Sequence, residues 1–270
     1  MNPNLSPDTI VPDPSGKEII DMLPSLLTNG IDDSVLRVRV KYLRLNDPTY
    51  LEASEKYERS LFRLYEAKHF ALPRIPDLDI VAYVLDDEYR ERVNFKLHKL
   101  YDSKYAQDEY ALAIKLTKDE RYSEASKHFY NAALNGNSDA QYYYGVSVAS
   151  GDTGNPDMTE AAFWYFVSAK SGCKNAMISL AIIYSNATGI IQNKYMATHW
   201  YARAAKELVP YATYNLGVIL TNEDVVKGHA AVGKQLKLCA ERLKGSVFEE
   251  YVREKASLVL DLIAPQALNI

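Results

Sequence analysis

Apolar residues along most of this chain return every three or four positions rather than every second one, which is the spacing of amphipathic helices. From Ile31 to Asn135 no glycine interrupts the pattern, so it predicts successive helices with short joints marked by proline. Asp47-Pro48 sets a capping carboxylate before a proline at the first helical position. The helix it opens is expected to run to about Phe70, where Pro73 and Pro76 break it. A further helix is expected from Asp77 to Asp79 through Leu100, turning Ile80, Val81, Val84, Phe95 and Leu97 inward. The run Arg37 to Tyr42 alternates as a strand would. Leu36, Val40 and Leu43 on one helical face, with Arg37, Lys41 and Arg44 on another, favour a helix with a solvated basic side. Met1 to Gly16 holds four prolines and few large apolar residues, the composition of a disordered tail.

The C-terminal half repeats. At a shift of 36 residues Ala125, Ala161 and Ala197 fall in one column, and Ala133, Ala169 and Ala205 in a second. Ala140, Ala176 and Ala212 make a third, and Gly145, Ala181 and Gly217 a fourth in which every member is small. Trp164 aligns with Trp200, and Gly136 with Gly172. A period of this length is the mark of stacked helical repeats. Two helices approach closely only where side chains are small, so Ala and Gly recur at the crossings. Trp164 and Trp200, followed one position later by Tyr165, Tyr201 and (in the first pair) Phe129, are expected to fill the gaps between layers. Capping-box spacings at Ser138 with Gln141, Asp157 with Glu160 and Ser246 with Glu249 mark helix starts. Asn135-Gly136-Asn137 and Gly172 mark helix ends.

The expected division is therefore a disordered tail at 1–16, an N-terminal helical region at 17–105, a repeat array at 106–243 and a capping helix with a short tail at 244–270. Within the array the pairs are 106–134, 139–170, 175–207 and 211–243. The fold class is all-α, an α-α solenoid of tandem helix pairs with additional N-terminal helices.

The repeat columns resemble the Sel1-like family, relatives of the tetratricopeptide repeats. Tyr211-Ala212-Thr213-Tyr214-Asn215-Leu216-Gly217 is similar to the family's first-helix motif, as is Asp139-Ala140-Gln141-Tyr142-Tyr143-Tyr144-Gly145. Residues 161–169 and 197–205 are similar to its second-helix motif, an alanine followed by Trp and Tyr and closed by a second alanine. The pair at 106–134 departs by carrying His128 in place of Trp, and the pair at 211–243 loses most of the second-helix signature. The resemblance implies a scaffold whose first helices line a concave groove. Carrying over the ligand-facing positions of tetratricopeptide repeats nominates Tyr110, Lys118, Asp139, Tyr142, Asn175, Ile178, Asn186, Tyr211, Tyr214 and Asn222. Tyrosine offers rigid area with one polar tip, and asparagine both donates and accepts towards a peptide backbone.

Composition narrows the alternatives. A net charge of −4 and a pI near 5.8 give no electrostatic reason to bind nucleic acid. Two cysteines, Cys173 and Cys239, are too few for a disulfide scaffold and fit a reducing intracellular compartment, the cytoplasm or, after loss of a presequence, the mitochondrion. Unbroken apolar runs, Leu180 to Tyr184 among them, are far short of a membrane span, so direct membrane insertion is not expected. The five histidines show no metal-binding spacing, Glu124 and His128 share a helical face as a surface pair would, and no phosphate loop is present. No cofactor is expected. The reading is a non-enzymatic adaptor or assembly factor holding a protein segment. The alternatives are an accessory subunit that positions or activates a partner enzyme or membrane complex, and an enzyme contained in the first hundred residues.

Overall fold

The computed structural model describes residues 58–267 apart from 60, 76, 191, 223–224 and 242–245. The expected tail, the basic helix near residues 36–44 and the start at Asp47-Pro48 lie outside the described residues. Residues 61–66 are helical and continue as a single π-helical turn, Ala67–Ala71, the two together forming α1. Then follow α2 (Ile80–Leu85), α3 (Asp87–His98), α4 (Ser103–Lys118), α5 (Tyr122–Leu134), α6 (Ser138–Ser150) and α7 (Met158–Lys170). The chain goes on through α8 (Lys174–Asn186), α9 (Lys194–Lys206), α10 (Pro210–Asn222), α11 (Ala230–Glu241) and α12 (Ser246–Ala267). No strand occurs among the described residues. The architecture of the described residues is all-α, built of tandem helix pairs.

One expected helix is two. Asp86 leaves the helical region with φ −103° and ψ 107°, and its carboxylate accepts from the Tyr89 amide at 3.0 Å. Aspartate's short side chain competes for backbone amides, so it caps a new helix instead of continuing the old one. The phase of α3 resets there. Val84 and Leu97 turn inward as expected, and so does Val93, but Phe95 is 65% exposed, with the Lys99 ammonium 4.1 Å from its ring centre.

Caps set the other boundaries. Asp79, Asp102, Asn137 and Asn193 each accept from the amide three residues on, and Asp157 accepts from both Thr159 and Glu160. The cap of α6 is therefore Asn137, one residue before Ser138. At the C-terminal ends a left-handed residue returns with the repeat: Gly136 and Gly172 are followed by Leu208 at φ 59°, and Gly151 by Ala187 at φ 55°.

The described residues form two compact units. One ends at Trp164 and takes in Gly189–Ile191; the other comprises Tyr165–Thr188 and runs on from Gln192. In the first unit α1 meets α2 and α3, α4 packs on α5, and α5 on α6. In the second, α8 packs on α9, α9 on α10 and α10 on α11. The last helix, expected to cover the end of the array, lies mainly along α9 and touches α11 less. Its inward stripe is Val252, Ala256, Val259 and Ile263, all buried.

The four small-residue columns are buried at every member. The tightest crossing joins α10 to α11: a Cβ on Gly217 would lie 2.7 Å from the Gly233 carbonyl oxygen, and one on Gly233 would lie 2.6 Å from the Thr221 amide nitrogen. Gly233 stands 36 residues after Ala197, so the fourth pair keeps the small position although its aromatic signature is gone. Leu236, fully buried, takes the place of Trp164 and Trp200.

These observations give two stability predictions of opposite sign. Alanine in mid-helix ordinarily stabilises over glycine, yet Gly217→Ala and Gly233→Ala should each destabilise by about 1–3 kcal/mol, because the added methyl meets facing backbone. Ala187→Gly should stabilise by about 0.5–1 kcal/mol, since Ala187 is exposed and held in the left-handed region. Urea unfolding of the three variants checks both; stabilisation by either alanine substitution would refute the close crossing.

Candidate partner-binding site

None of the ten nominated residues is buried. In the first unit Tyr110 and Tyr142 are half-buried and meet through a third ring. The centroid of Tyr143 lies 6.2 Å from that of Tyr110 and 5.2 Å from that of Tyr142, and Tyr143 stacks on buried Phe129 at 5.1 Å. These two tyrosines thus rest on a packed aromatic base with one edge outward. Asp139 is exposed on the first turn of α6, and Lys118 is exposed at the end of α4. Neither makes a side-chain hydrogen bond or ion pair with the tyrosine group among the described residues.

In the second unit Tyr211 and Tyr214 stand one turn apart on α10, 52% and 47% exposed. Tyr211 is braced from behind. Its ring lies 6.5 Å from that of Tyr201, and its carbonyl accepts from the Asn215 side chain at 2.8 Å. Burial, with the Tyr211 hydroxyl beside it, pushes Tyr201 up to about 12, so this support stays a neutral phenol. Asn175 is exposed on the first turn of α8, Asn186 and Asn222 are the last residues of α8 and α10, and Ile178 is half-buried. The three asparagine side chains make no hydrogen bond among the described residues. They are not the caps of these helices, and their donors and acceptors are open to a partner. No ring contact or hydrogen bond joins the α8 set to the α10 set among the described residues.

A polar cluster in the first unit was not foreseen. His69, on the π-helical turn, is 5% exposed and sits among the rings of Tyr65, Tyr130, Phe163 and Trp164. Its Nδ1 is 3.2 Å from the Tyr130 hydroxyl and its Nε2 is 3.2 Å from Glu160 Oε1, off the line of a good hydrogen bond. Glu160 also approaches Lys68 at 3.8 Å and accepts from the Trp164 indole at 3.4 Å. The capping box expected at Asp157 and Glu160 is half formed: Asp157 caps, while the Glu160 side chain turns to His69. His128 likewise pairs with Glu109 at 3.0 Å, and Glu124 with Arg121, so the expected pairing of Glu124 with His128 does not occur. The only sequence signal for the cluster was a glutamate one turn before Trp164; its histidine comes from a segment with no period to place it.

Among the described residues no three His, Cys, Asp or Glu side chains gather as a metal ion would require. No described helix is long and apolar enough to cross a membrane. Cys239 is buried, and Cys173 is half-buried at the start of α8.

No family model matches this chain, and no curated protein does. Solved structures do. The chain is similar to Sel1 repeat proteins. One is a Sel1 repeat protein from Oxalobacter formigenes, 19% identical, with 89% of this chain and 91% of that chain covered at a TM-score of 0.47. Another is c5321, a protective antigen of uropathogenic Escherichia coli strains with an SLR fold, 16% identical, with 91% of this chain and 61% of that one covered at a TM-score of 0.38.

The His69 cluster gives a pH prediction. Burial drives the imidazole pKa below its ordinary value, with Glu160 opposing. The folded state then binds fewer protons than the unfolded one. The stability His69 supports is complete above about pH 6.5 and is lost as pH falls from there through the folded pKa. Urea unfolding between pH 7 and pH 5 should show a steeper loss for the native chain than for His69→Phe. That variant should itself be about 1–3 kcal/mol less stable at pH 7, because Glu160 and Tyr130 lose a partner. Equal slopes would remove His69 as the titrating group.

Proposed function

We propose that this protein is a non-enzymatic interaction scaffold, an adaptor or assembly factor, with residues 106–243 as its repeat array and 17–105 as a helical region preceding it. Its first-helix faces bind a protein segment through Tyr110, Lys118, Asp139 and Tyr142 in one unit, and through Asn175, Ile178, Asn186, Tyr211, Tyr214 and Asn222 in the other. The observation that carries this reading is the pair of half-exposed tyrosines one turn apart on α10, of which Tyr211 is braced by Tyr201. Large aromatic side chains fixed from behind and open in front bind with little loss of side-chain freedom, and tyrosine is enriched among the residues that dominate interfaces. The asparagines without hydrogen bonds on α8 and α10 add donors and acceptors suited to the backbone of an extended or helical segment. The acidic net charge supports a protein over a nucleic acid as that partner.

The test compares proteins captured from the native source by the native chain and by a Tyr211→Ala/Tyr214→Ala variant, quantified by mass spectrometry. Both side chains are largely exposed, so the variant should keep its helical circular dichroism and melt within a few degrees of the native chain. The specific partner should fall by about tenfold or more, as the loss of two interface anchors demands. If every captured protein is retained by the folded variant, this face is not the binding surface.

A further inference from the structure

The second unit contains a hollow of about 630 Å³ that the partner-binding reading does not use. Its walls are the C-terminal halves of α9 and α12, with Gly172 and Met177 at the start of α8. His199, Arg203 and Lys206 line it from α9, spaced to share one helical face. Arg203 is the unusual member. It is half-buried, its guanidinium lies over the Trp200 ring at 4.9 Å, and it donates no hydrogen bond among the described residues. The carboxylate one turn on, Glu207, attracts it only through space and approaches the Lys174 ammonium at 3.7 Å. Lys206 has no ion pair among the described residues. Asp261, on the opposite wall, has none either.

A guanidinium that has already lost much of its water and found no acceptor binds an incoming anion at reduced desolvation cost. Arg203 and Lys206 supply two positive charges without an ion pair among the described residues, against Asp261 and against Glu207, a second lining carboxylate whose charge the Lys174 ammonium 3.7 Å away partly offsets. His199, which burial and Arg203 hold down to about 4, adds polar ring nitrogens without charge near neutral pH. Met177, Leu260 and Ala264 give the hollow an apolar side. Its volume falls within the roughly 300–1,000 Å³ of small-molecule sites.

We propose that this hollow binds a small oxyanion carried on a short apolar body, an organic carboxylate or a phosphate monoester. Arg203 clamps the oxygens, Lys206 adds charge, and Met177, Leu260 and Ala264 cover the apolar part. Calorimetric titration and thermal shift of the full chain with hexanoate, hexyl phosphate, acetate, inorganic phosphate and hexylammonium test it. One of the two hexyl anions should bind and raise the melting temperature, and the tighter of them assigns the anion. Acetate and inorganic phosphate should bind more weakly, and hexylammonium should not bind. Arg203→Gln should weaken the hexyl anion by about tenfold or more, the worth of a charge-assisted hydrogen bond. Asp261→Asn should tighten it by about threefold by removing the opposing charge, a gain that a purely structural role for these residues would not give. Should Arg203→Gln fail to fold, Lys206→Gln and Asp261→Asn carry the test alone. Absence of binding, equal binding of hexylammonium or of the short anions, or affinity unchanged by Arg203→Gln or Asp261→Asn would overturn the proposal.

Discussion

The separation between α10 and α11 is set by two glycines that leave no room for a methyl group, each facing the other helix's backbone. Interiors pack as densely as organic crystals, so a separation fixed at one crossing dictates which side chains fit above and below it. Three positions after the small residue, the columns place Trp164, Trp200 and Leu236, all buried. Small and large positions alternate because backbone contact at the crossing leaves a wedge beside it that only a large apolar side chain fills, worth roughly 2–3 kcal/mol for each one buried. The repeat interval is thus a packing interval, and its alanines are as constrained as its tryptophans.

The same constraint decides what is left for function. With one stripe of each first helix committed to crossings, the residues between crossings face outward, and a large aromatic there gains nothing from the core. Tyr211 and Tyr214 occupy such positions, while Tyr201, only 6.5 Å from Tyr211, is buried on the second helix of the preceding pair. A tyrosine inside and a tyrosine outside differ here by their place in the repeat, one on a second helix and one on the first helix that follows. The inner one holds the outer one still, which is the arrangement a binding face needs.

What could be read from the sequence was whatever repeats or acts locally. The alanine columns, the aromatic layer and the pairing of helices all follow from a 36-residue interval. Most helix ends inside the array were legible to within a residue or two, although α4 starts at Ser103, three residues before the expected 106, and the cap of α6 was misplaced where Asn137 and Ser138, side by side, could both cap. Asp86 was missed because an aspartate inside an apolar helical pattern signals a surface position as readily as a break; the reset that turned Phe95 outward followed from that one residue. The surroundings of His69 and Arg203 were not legible. Each depends on an element brought from far along the chain, α1 against α7 in one case and α12 against α9 in the other, and neither α1 nor α12 carries the period. Gly233 was legible in principle: its column is small in all four pairs, but the loss of the neighbouring aromatic hid it.

A repeated residue does not repeat its chemistry, as the two tryptophans demonstrate. Trp164 donates its indole proton to Glu160 one turn earlier, whereas the equivalent of Glu160 before Trp200 is Met196, and the Trp200 indole proton has no acceptor among the described residues. An unmet buried donor costs about 1–3 kcal/mol, so a glutamate at position 196 would at first sight improve the repeat. Yet Glu160 is tolerated inside because Lys68 and His69 stand beside it, and a buried carboxylate without such neighbours costs more than the hydrogen bond returns. The non-repeating α1 is therefore what permits the polar variant of the column. Where no such helix supplies a cation and an imidazole, a methionine with an orphaned indole is the cheaper solution.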